Sequence, residues 1–558
     1  MRADPASVPA SARIPLSLSL AAVLIAAGCS DAGKAETSDP PTAKGGGGAR
    51  PSSAQPAGKY VREGWFGGGT SGLHARLEIK AVERQAAKSV VRYSVTSLDT
   101  AAKSVPMPLS VIDPVGREFY RAAAAAGGDQ FPPGATRELV AEIPPLPPTV
   151  QQVTVLTPGT TGEFTGIPVT SGGAGGGSPQ NTPGGVPGGV PGVPGSGGST
   201  GTGGSGAPAG YLAAAPNPSP SPSVSSSVSV SSAPSGMPTM PGTGSSPGMP
   251  VDLYDITEGE IKDVTSSGSD VTVNLRTDVL FASDSAKLSG NAKSVLDEAA
   301  REIKEKADPA RRPLTFNGHT DSKGSDSYNL KLSRDRAETV MKELKNRLGD
   351  SYKYSAHGRG EAELIAKEGG ADDAKARARN RRVEITYDVR QQTPGTSGTS
   401  TAPADGRGGT ASPAAFRAQD GTKVASRYGR FGADKRRLDV KPFYRDGAYI
   451  VGVFDIVDEG PGQTPPNAAY AHKDYPGGIF TSFSILAPNG KDVFRAVRVG
   501  PASAGGTATY VASGSASYRT GVNEPVRVVV YMPAPPGNTS SVVFDGGPFG
   551  KVNSVPVS

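Results

Sequence analysis

The sequence predicts a multidomain chain in which a central α/β sandwich of order β-α-β-α-β-β is flanked by two related β-sandwich domains and disordered Gly/Pro/Ser linkers. Three observations carry this. The 75 glycines and 51 prolines among 558 residues are clustered, and such stretches bury too little apolar surface to offset chain entropy. Between them, residues 251–390 switch from strand to helical periodicity and back. Residues 59–170 and 415–558 show strand alternation broken by Pro- and Gly-containing turns.

Residues 1–28 read as an export signal. Arg2 and Arg13 flank a basic start, and residues 14–27 are mainly apolar. That run is too short for a membrane span of about 20 residues and fits a secretory signal. It ends Ile25-Ala26-Ala27-Gly28-Cys29, with the only cysteine of the chain at its end. This resembles the bacterial lipobox, in which small residues precede a cysteine that receives lipid and becomes the mature N-terminus. Ala26 stands where Leu or Val is usual. An ordinary signal peptide with an incidental cysteine is the alternative. A polar tether follows at 29–58, and two or more acyl chains on Cys29 would give stable attachment.

In 59–170, Leu77-Glu78-Ile79-Lys80-Ala81-Val82 alternates, as a strand of a small β-sandwich would. Residues 171–250 are almost wholly Gly, Ser, Pro, Thr, Ala and Val, the composition of a flexible linker. Such a linker of about 80 residues spans on the order of 50 Å. Residues 391–414 form a second, shorter linker. The last segment, 415–558, echoes the first. The stretch Leu109-Ser110-Val111-Ile112 through Arg121-Ala122 aligns without gaps with Phe483-Ser484-Ile485-Leu486 through Arg495-Ala496. Each holds a Pro-x-Gly between two strand-like runs, as a hairpin turn would.

In the central segment, residues 269–276 place Val271, Val273 and Leu275 on one strand face. Residues 289–306 carry Ala292, Val295, Leu296, Ala299, Ala300 and Ile303 at helical spacing. A short strand is expected at 313–316. A second helix is expected at 326–348, with Leu330, Ala337, Val340, Met341, Leu344 and Leu348 on its buried side. Gly349 is placed to end it in the left-handed conformation. Strands at 352–357 and 382–387 complete the set.

Four blocks then occur in order: Asn317-Gly318-His319-Thr320-Asp321-Ser322-Lys323-Gly324; Tyr328-Asn329-Leu330 with Ser333, Arg336 and Ala337; Gly358-Arg359-Gly360-Glu361; and Arg379-Asn380-Arg381-Arg382-Val383-Glu384. Together they resemble the OmpA C-terminal family, which includes OmpA, Pal and the MotB stator domain. The resemblance covers residues 251–390. It implies binding to the diaminopimelate of uncrosslinked peptidoglycan stems. By resemblance, Asp321 takes the ligand ammonium and Arg336 its carboxylate. An Arg guanidinium can hold a carboxylate bidentately. Asn329, Thr320 and Arg381 complete the implied site. Asn329, Ser333 and Arg336 share a helix face, expected to be open to ligand. Taken alone, Asp321 reads as an Asx-turn residue and Arg336 as a partner in a surface ion pair. The sequence departs from the family at Phe281-Ala282-Ser283-Asp284 and at Arg359.

The net charge of +6 on 58 basic and 52 acidic residues is nearly balanced, so no nucleic-acid partner is expected. His74, His319, His357 and His472 show no metal-ligand spacing, and no nucleophile motif appears. No metal or other cofactor is expected, and the chain reads as non-enzymatic. The expected function is a lipid-anchored envelope protein that binds peptidoglycan and ties membrane to cell wall. The β-domains would present surfaces to envelope proteins. The anchor would lie in the outer face of the plasma membrane in a monoderm, or in the outer membrane of a diderm. A wall-targeted enzyme, or a signalling or adhesion protein localised by the same module, is the alternative.

Overall fold

The computed structural model describes residues 58–171, 248–390 and 411–558, with breaks at 68–71, 124–128, 312, 371, 432, 462–468, 488–489, 502–507 and 515–520. Cys29, the export signal and nearly all of the tether and both linkers lie outside the described residues.

The first β-rich region has two sheets over one core. One joins Val61–Phe66, Leu73–Arg84, Ser89–Ser97 and Thr136–Ile143. The other joins Glu118–Arg121, Ser110–Asp113, Gln152–Leu156 and Glu163–Ser171. Leu77, Val91, Val111, Tyr120, Val153 and Phe164 meet between them. The alternation of Leu73, Ala75, Leu77 and Ile79 does not continue through Ala81. A register shift between Ile79 and Ala81 turns Val82 inward instead, as an extra bulge residue does.

The central region is a six-stranded sheet ordered Val251–Glu258, Lys262–Ser266, Asp270–Arg276, Arg382–Asp388, Leu314–His319, Tyr354–Gly360. Only the last pair is parallel. Val271, Val273 and Leu275 point into the core as their alternation requires, against Leu296 and Ile303 of the helix Ala292–Lys306 and Val340 and Leu344 of the helix Asp326–Leu348. Ser325 caps the long helix by accepting from the Tyr328 N–H.

Four expectations need correction. A further helix, Asp373–Asn380, stands between the last two strands, and its sequence DAKARARN has no apolar period to announce it. A hairpin, Val251–Ser266, precedes the expected first strand. Leu330 is 45% exposed, and the buried line instead runs Asn329, Ser333, Arg336, Ala337, Val340, Leu344, Leu348. Gly349 has φ +76° but ψ −162°, so positive φ is used there without the left-handed helical conformation.

The C-terminal β-rich region pairs Ala425–Phe431, Asp434–Val440, Tyr449–Gly460 and Pro525–Pro533 in one sheet. Ser484–Leu486, Val493–Arg495, Ser541–Asp545 and Lys551–Pro556 pair in another. The sequence echo has a structural counterpart. Ser110 pairs with Arg121 and Ile112 with Phe119; at the aligned positions Ser484 pairs with Arg495 and Leu486 with Val493.

The three regions are not separately suspended bodies. Their described residues fall within one compact unit. The strand Val251–Glu258 pairs with Phe119 and Glu118 at its start and with Phe494 and Val493 at its end, so both echoing hairpins grip it. Ile112, Phe119, Leu253, Tyr449, Val451, Val529 and Tyr531 form a core shared by all three regions. Across it, Arg527 forks onto both oxygens of buried Glu163, and Thr154 donates to Asp446.

Candidate functional site

Two glycines let the long helix lie directly on the parallel strands. A Cβ on Gly318 would sit 1.9 Å from the Ser333 carbonyl oxygen, and one on Gly358 2.6 Å from that of Leu330. Ser333 Oγ, buried in this contact, accepts from Gly360 N at 3.0 Å. Helix and strand ends thereby fix the loop of residues 320–325 between them. Asn329 Nδ2 donates to the Lys323 carbonyl at 3.0 Å and to Glu361 at 2.7 Å, folding the loop back over the helix start. Asn329 is 2% exposed. It therefore builds the site from beneath, and the helix face it shares with Ser333 is covered rather than open.

Asp321 is buried to 8% exposure. Its Oδ1 accepts from Lys323 N at 3.2 Å, an Asx turn, while its Oδ2 accepts from Arg381 Nη1 at 2.6 Å. Arg381 also forks onto Asp278, at 2.9 and 2.5 Å. The Asp278 hydrogen bonds hold its guanidinium even more firmly charged than usual. Arg381 is thus a bridge between two carboxylates and not an unoccupied contact. Asp278 has no counterpart among the residues read from the sequence; its place beside Arg381 depends on the pairing of Arg276 with Arg382.

Arg336 is different. It is 5% exposed, and Nε donates to the Ser285 carbonyl at 2.9 Å. Its guanidinium carbon lies 5.5 Å from the Phe281 ring centroid. Among the described residues it has no ion pair, and neither Nη has a hydrogen-bond partner. Burial lowers its pKa, and the charges of Asp278 and Asp284 oppose that without pairing directly. The turn that departs from the family pattern, Phe281 to Ser285, supplies both the ring and the carbonyl that hold Arg336. Among the described residues, Thr320 Oγ1 and both ring nitrogens of His319 are buried without a partner. Burial, with Arg382 and Arg359 nearby, takes the His319 pKa down to about 2, so the ring is neutral.

Asn380 and Arg382 are structural. Asn380 Oδ1 accepts from Ile365 N and Ala366 N, both at 2.9 Å. Arg382 donates to Asn274 and the Glu363 carbonyl. The site reads as alternating charges, Arg336(+), Asp278(−), Arg381(+), Asp321(−), with no net charge. Such an arrangement can take a zwitterionic group without changing the balance, the ammonium toward Asp321 and the carboxylate toward the unpaired Nη groups of Arg336.

Residues 280–381 match the family model of the OmpA family. The probable lipoprotein YiaD of Escherichia coli (strain K12) is 33% identical over 140 residues, 24% of this chain and 61% of that protein. Outer membrane protein A of Serratia marcescens is 36% identical over 119 residues, 20% of this chain and 33% of that protein. In both cases the match spans less than two thirds of the relative's length. Among solved structures, the peptidoglycan-associated lipoprotein from Burkholderia pseudomallei is 28% identical, covering 20% of this chain and 87% of that one, with a TM-score of 0.17.

Proposed function

From the premise that residues 280–381 form an OmpA-family domain, we propose that this chain is a non-catalytic, lipid-anchored envelope protein that binds peptidoglycan and ties membrane to cell wall. The ligand is the diaminopimelate side-chain end of a stem peptide. Asp321 takes its ammonium and Arg336 its carboxylate; Thr320 lines the site, Asn329 shapes the loop and Arg381 orients Asp321. Cys29 carries the lipid, a reading that rests on the Ile25-Ala26-Ala27-Gly28-Cys29 pattern. The likeness to outer membrane protein A of Serratia marcescens supports the envelope location.

One observation carries the ligand reading: Arg336 is largely buried, at 5% exposure, and has no carboxylate partner among the described residues, while its Nη groups stay free at the site. Burying a cation unpaired is costly. A chain that keeps one at the edge of a loop holding a buried carboxylate has a use for it that the folded protein alone does not supply.

The test is co-sedimentation of the purified chain with peptidoglycan sacculi. Asp321→Ala and Arg336→Ala should each abolish pelleting. Wild-type pelleting by both variants would sink the assignment.

A further inference from the structure

The segment that closes the ligand site is held from outside the OmpA-family domain. Residues 361–381 connect the strand Tyr354–Gly360 to the strand Arg382–Asp388 and include the helix Asp373–Asn380. This segment touches the site loop twice. Arg381 donates to Asp321, and Glu368 Oε2 accepts from Ser322 Oγ at 2.6 Å. Asn380 Nδ2 donates to Glu368 Oε1 at 2.6 Å, so both contacts belong to one folded-back piece of chain.

That piece has little apolar surface of its own. Within the helix only Ala376, Arg379 and Asn380 are buried. Its placement therefore depends on polar ties: the fork of Arg381 onto Asp278 within the central region, and a set from the C-terminal β-rich region. Asp474 Oδ2 accepts from Arg379 Nη1 at 2.6 Å, and Asp474 Oδ1 accepts from Lys367 N at 3.2 Å. One carboxylate thus grips the residue before Glu368 and the residue two before Arg381. Arg379 is 7% exposed and also meets Glu258 at 3.0 Å and Asp263 at 3.4 Å. Tyr475 accepts from Arg379 Nη2 at 3.1 Å and donates to Glu258 at 2.5 Å, while Arg495 forks onto the other oxygen of Glu258. A buried network this fully paired has one low-energy arrangement.

We infer that the C-terminal β-rich region is part of the recognition device, with Asp474 as a positioning residue that acts through Arg379 and Lys367 to set Arg381 and Glu368 against Asp321 and Ser322. The inference rests on the ligand-site reading given above. It assigns the C-terminal region a role beyond presenting a surface: it preorganises the loop, and so reduces the ordering cost of binding.

The experiment uses the full chain and, as probe, a soluble stem peptide ending in diaminopimelate, with binding measured by calorimetry. Asp474→Asn should weaken binding on the order of fivefold. Amide hydrogen exchange across residues 320–325 should quicken, while exchange in the core strand Tyr449–Gly460 stays slow. Glu368→Ala, which removes the Ser322 contact without touching the interface, should weaken binding comparably. In a chain carrying both Glu368→Ala and Arg381→Ala, Asp474→Asn should add nothing. If the wild type binds and Arg336→Ala abolishes binding, yet Asp474→Asn and Asp474→Ala bind like wild type, the positioning role is refuted and the ligand reading stands. If the wild type itself fails to bind the peptide, the ligand reading falls and the inference falls with it.

Discussion

Replacing Arg336 by Met separates a residue kept for a ligand from one kept for the fold. Met fills a similar volume and removes the charge. The folded protein then loses the Nε bond to the Ser285 carbonyl and the approach to Phe281. A hydrogen bond to a charged group contributes about 1.5–3 kcal/mol, and a cation over an aromatic ring about 0.5–2 kcal/mol. Against this, the effective desolvation cost of a buried ion, about several kcal/mol, is relieved. No internal carboxylate is left uncompensated, because none pairs with Arg336 among the described residues. The terms are of similar size, so stability should stay within about 2 kcal/mol of wild type. Binding should not survive. Truncating one side of a buried, hydrogen-bonded charge pair costs about 2–5 kcal/mol, which is at least about a thirtyfold loss of affinity. Urea unfolding and calorimetry with a diaminopimelate stem peptide measure the two quantities. A large loss of stability with affinity largely retained in the folded fraction would refute the reasoning and make Arg336 a structural residue.

Other outcomes follow from the same geometry. Glu163 and Glu258 are held at about 2, below their ordinary 4.5, by Arg527 with Arg62 and by Arg495 with Arg379 respectively, against the opposing cost of burial. Their contribution is present above pH 4.5 and is lost as pH falls toward 2; acid titration of stability should show a steep decline there, flattened by Glu163→Gln. Asp446 has the opposite sign: burial pushes its pKa up to about 6 despite donors from Ala414 N, Thr154 and Tyr531. The folded state favours its protonated form, so this contribution is full below pH 3.8 and lost as pH rises through 6. Asp446→Asn should remove that slope, read as a difference in unfolding midpoint from wild type that changes between pH 3.8 and 6 and is constant above. Gly318→Ala should prevent the helix Asp326–Leu348 from seating, because its Cβ would meet backbone rather than a movable side chain; soluble yield and helix content by circular dichroism report it. By contrast, Gly349→Ala should cost about 1–3 kcal/mol through backbone strain alone, since no described residue lies within 4 Å of its Cβ and φ +76° with ψ −162° is a conformation nearly confined to glycine.

The parts of this structure that were legible in the sequence are those governed by period. The helix Asp326–Leu348 has the bounds its pattern implied, and Val271, Val273 and Leu275 share a buried face. Where polar residues take buried roles, the pattern misleads. Asn329 and Ser333 look like an exposed face yet continue the buried line of the helix, because they satisfy the loop and strand backbone beneath it. Asp321 and Arg336 could be singled out only through the ordered set of four motif blocks, since each alone fits a turn or an ion pair. Asp278 gave no signal, as its role depends on strand register. The joining of the three regions did leave a trace: in the strand Tyr449–Gly460 the first six residues are all buried, and a continuous apolar run marks a strand covered on both faces. The long Gly/Pro/Ser segment between regions masked that signal, because linker length alone argues for independent bodies.

The central claim is that Arg336 reads the carboxylate of a diaminopimelate side chain. It is tested most directly by comparing two stem peptides that differ at one residue, diaminopimelate or lysine. Both offer an ammonium to Asp321, and only the first offers a carboxylate to Arg336. The full chain should bind the diaminopimelate peptide at least about tenfold more tightly, the loss of one charge-assisted contact of about 1.4 kcal/mol or more, and Arg336→Met should erase the difference. Equal affinity of the wild type for the two peptides would contradict the account.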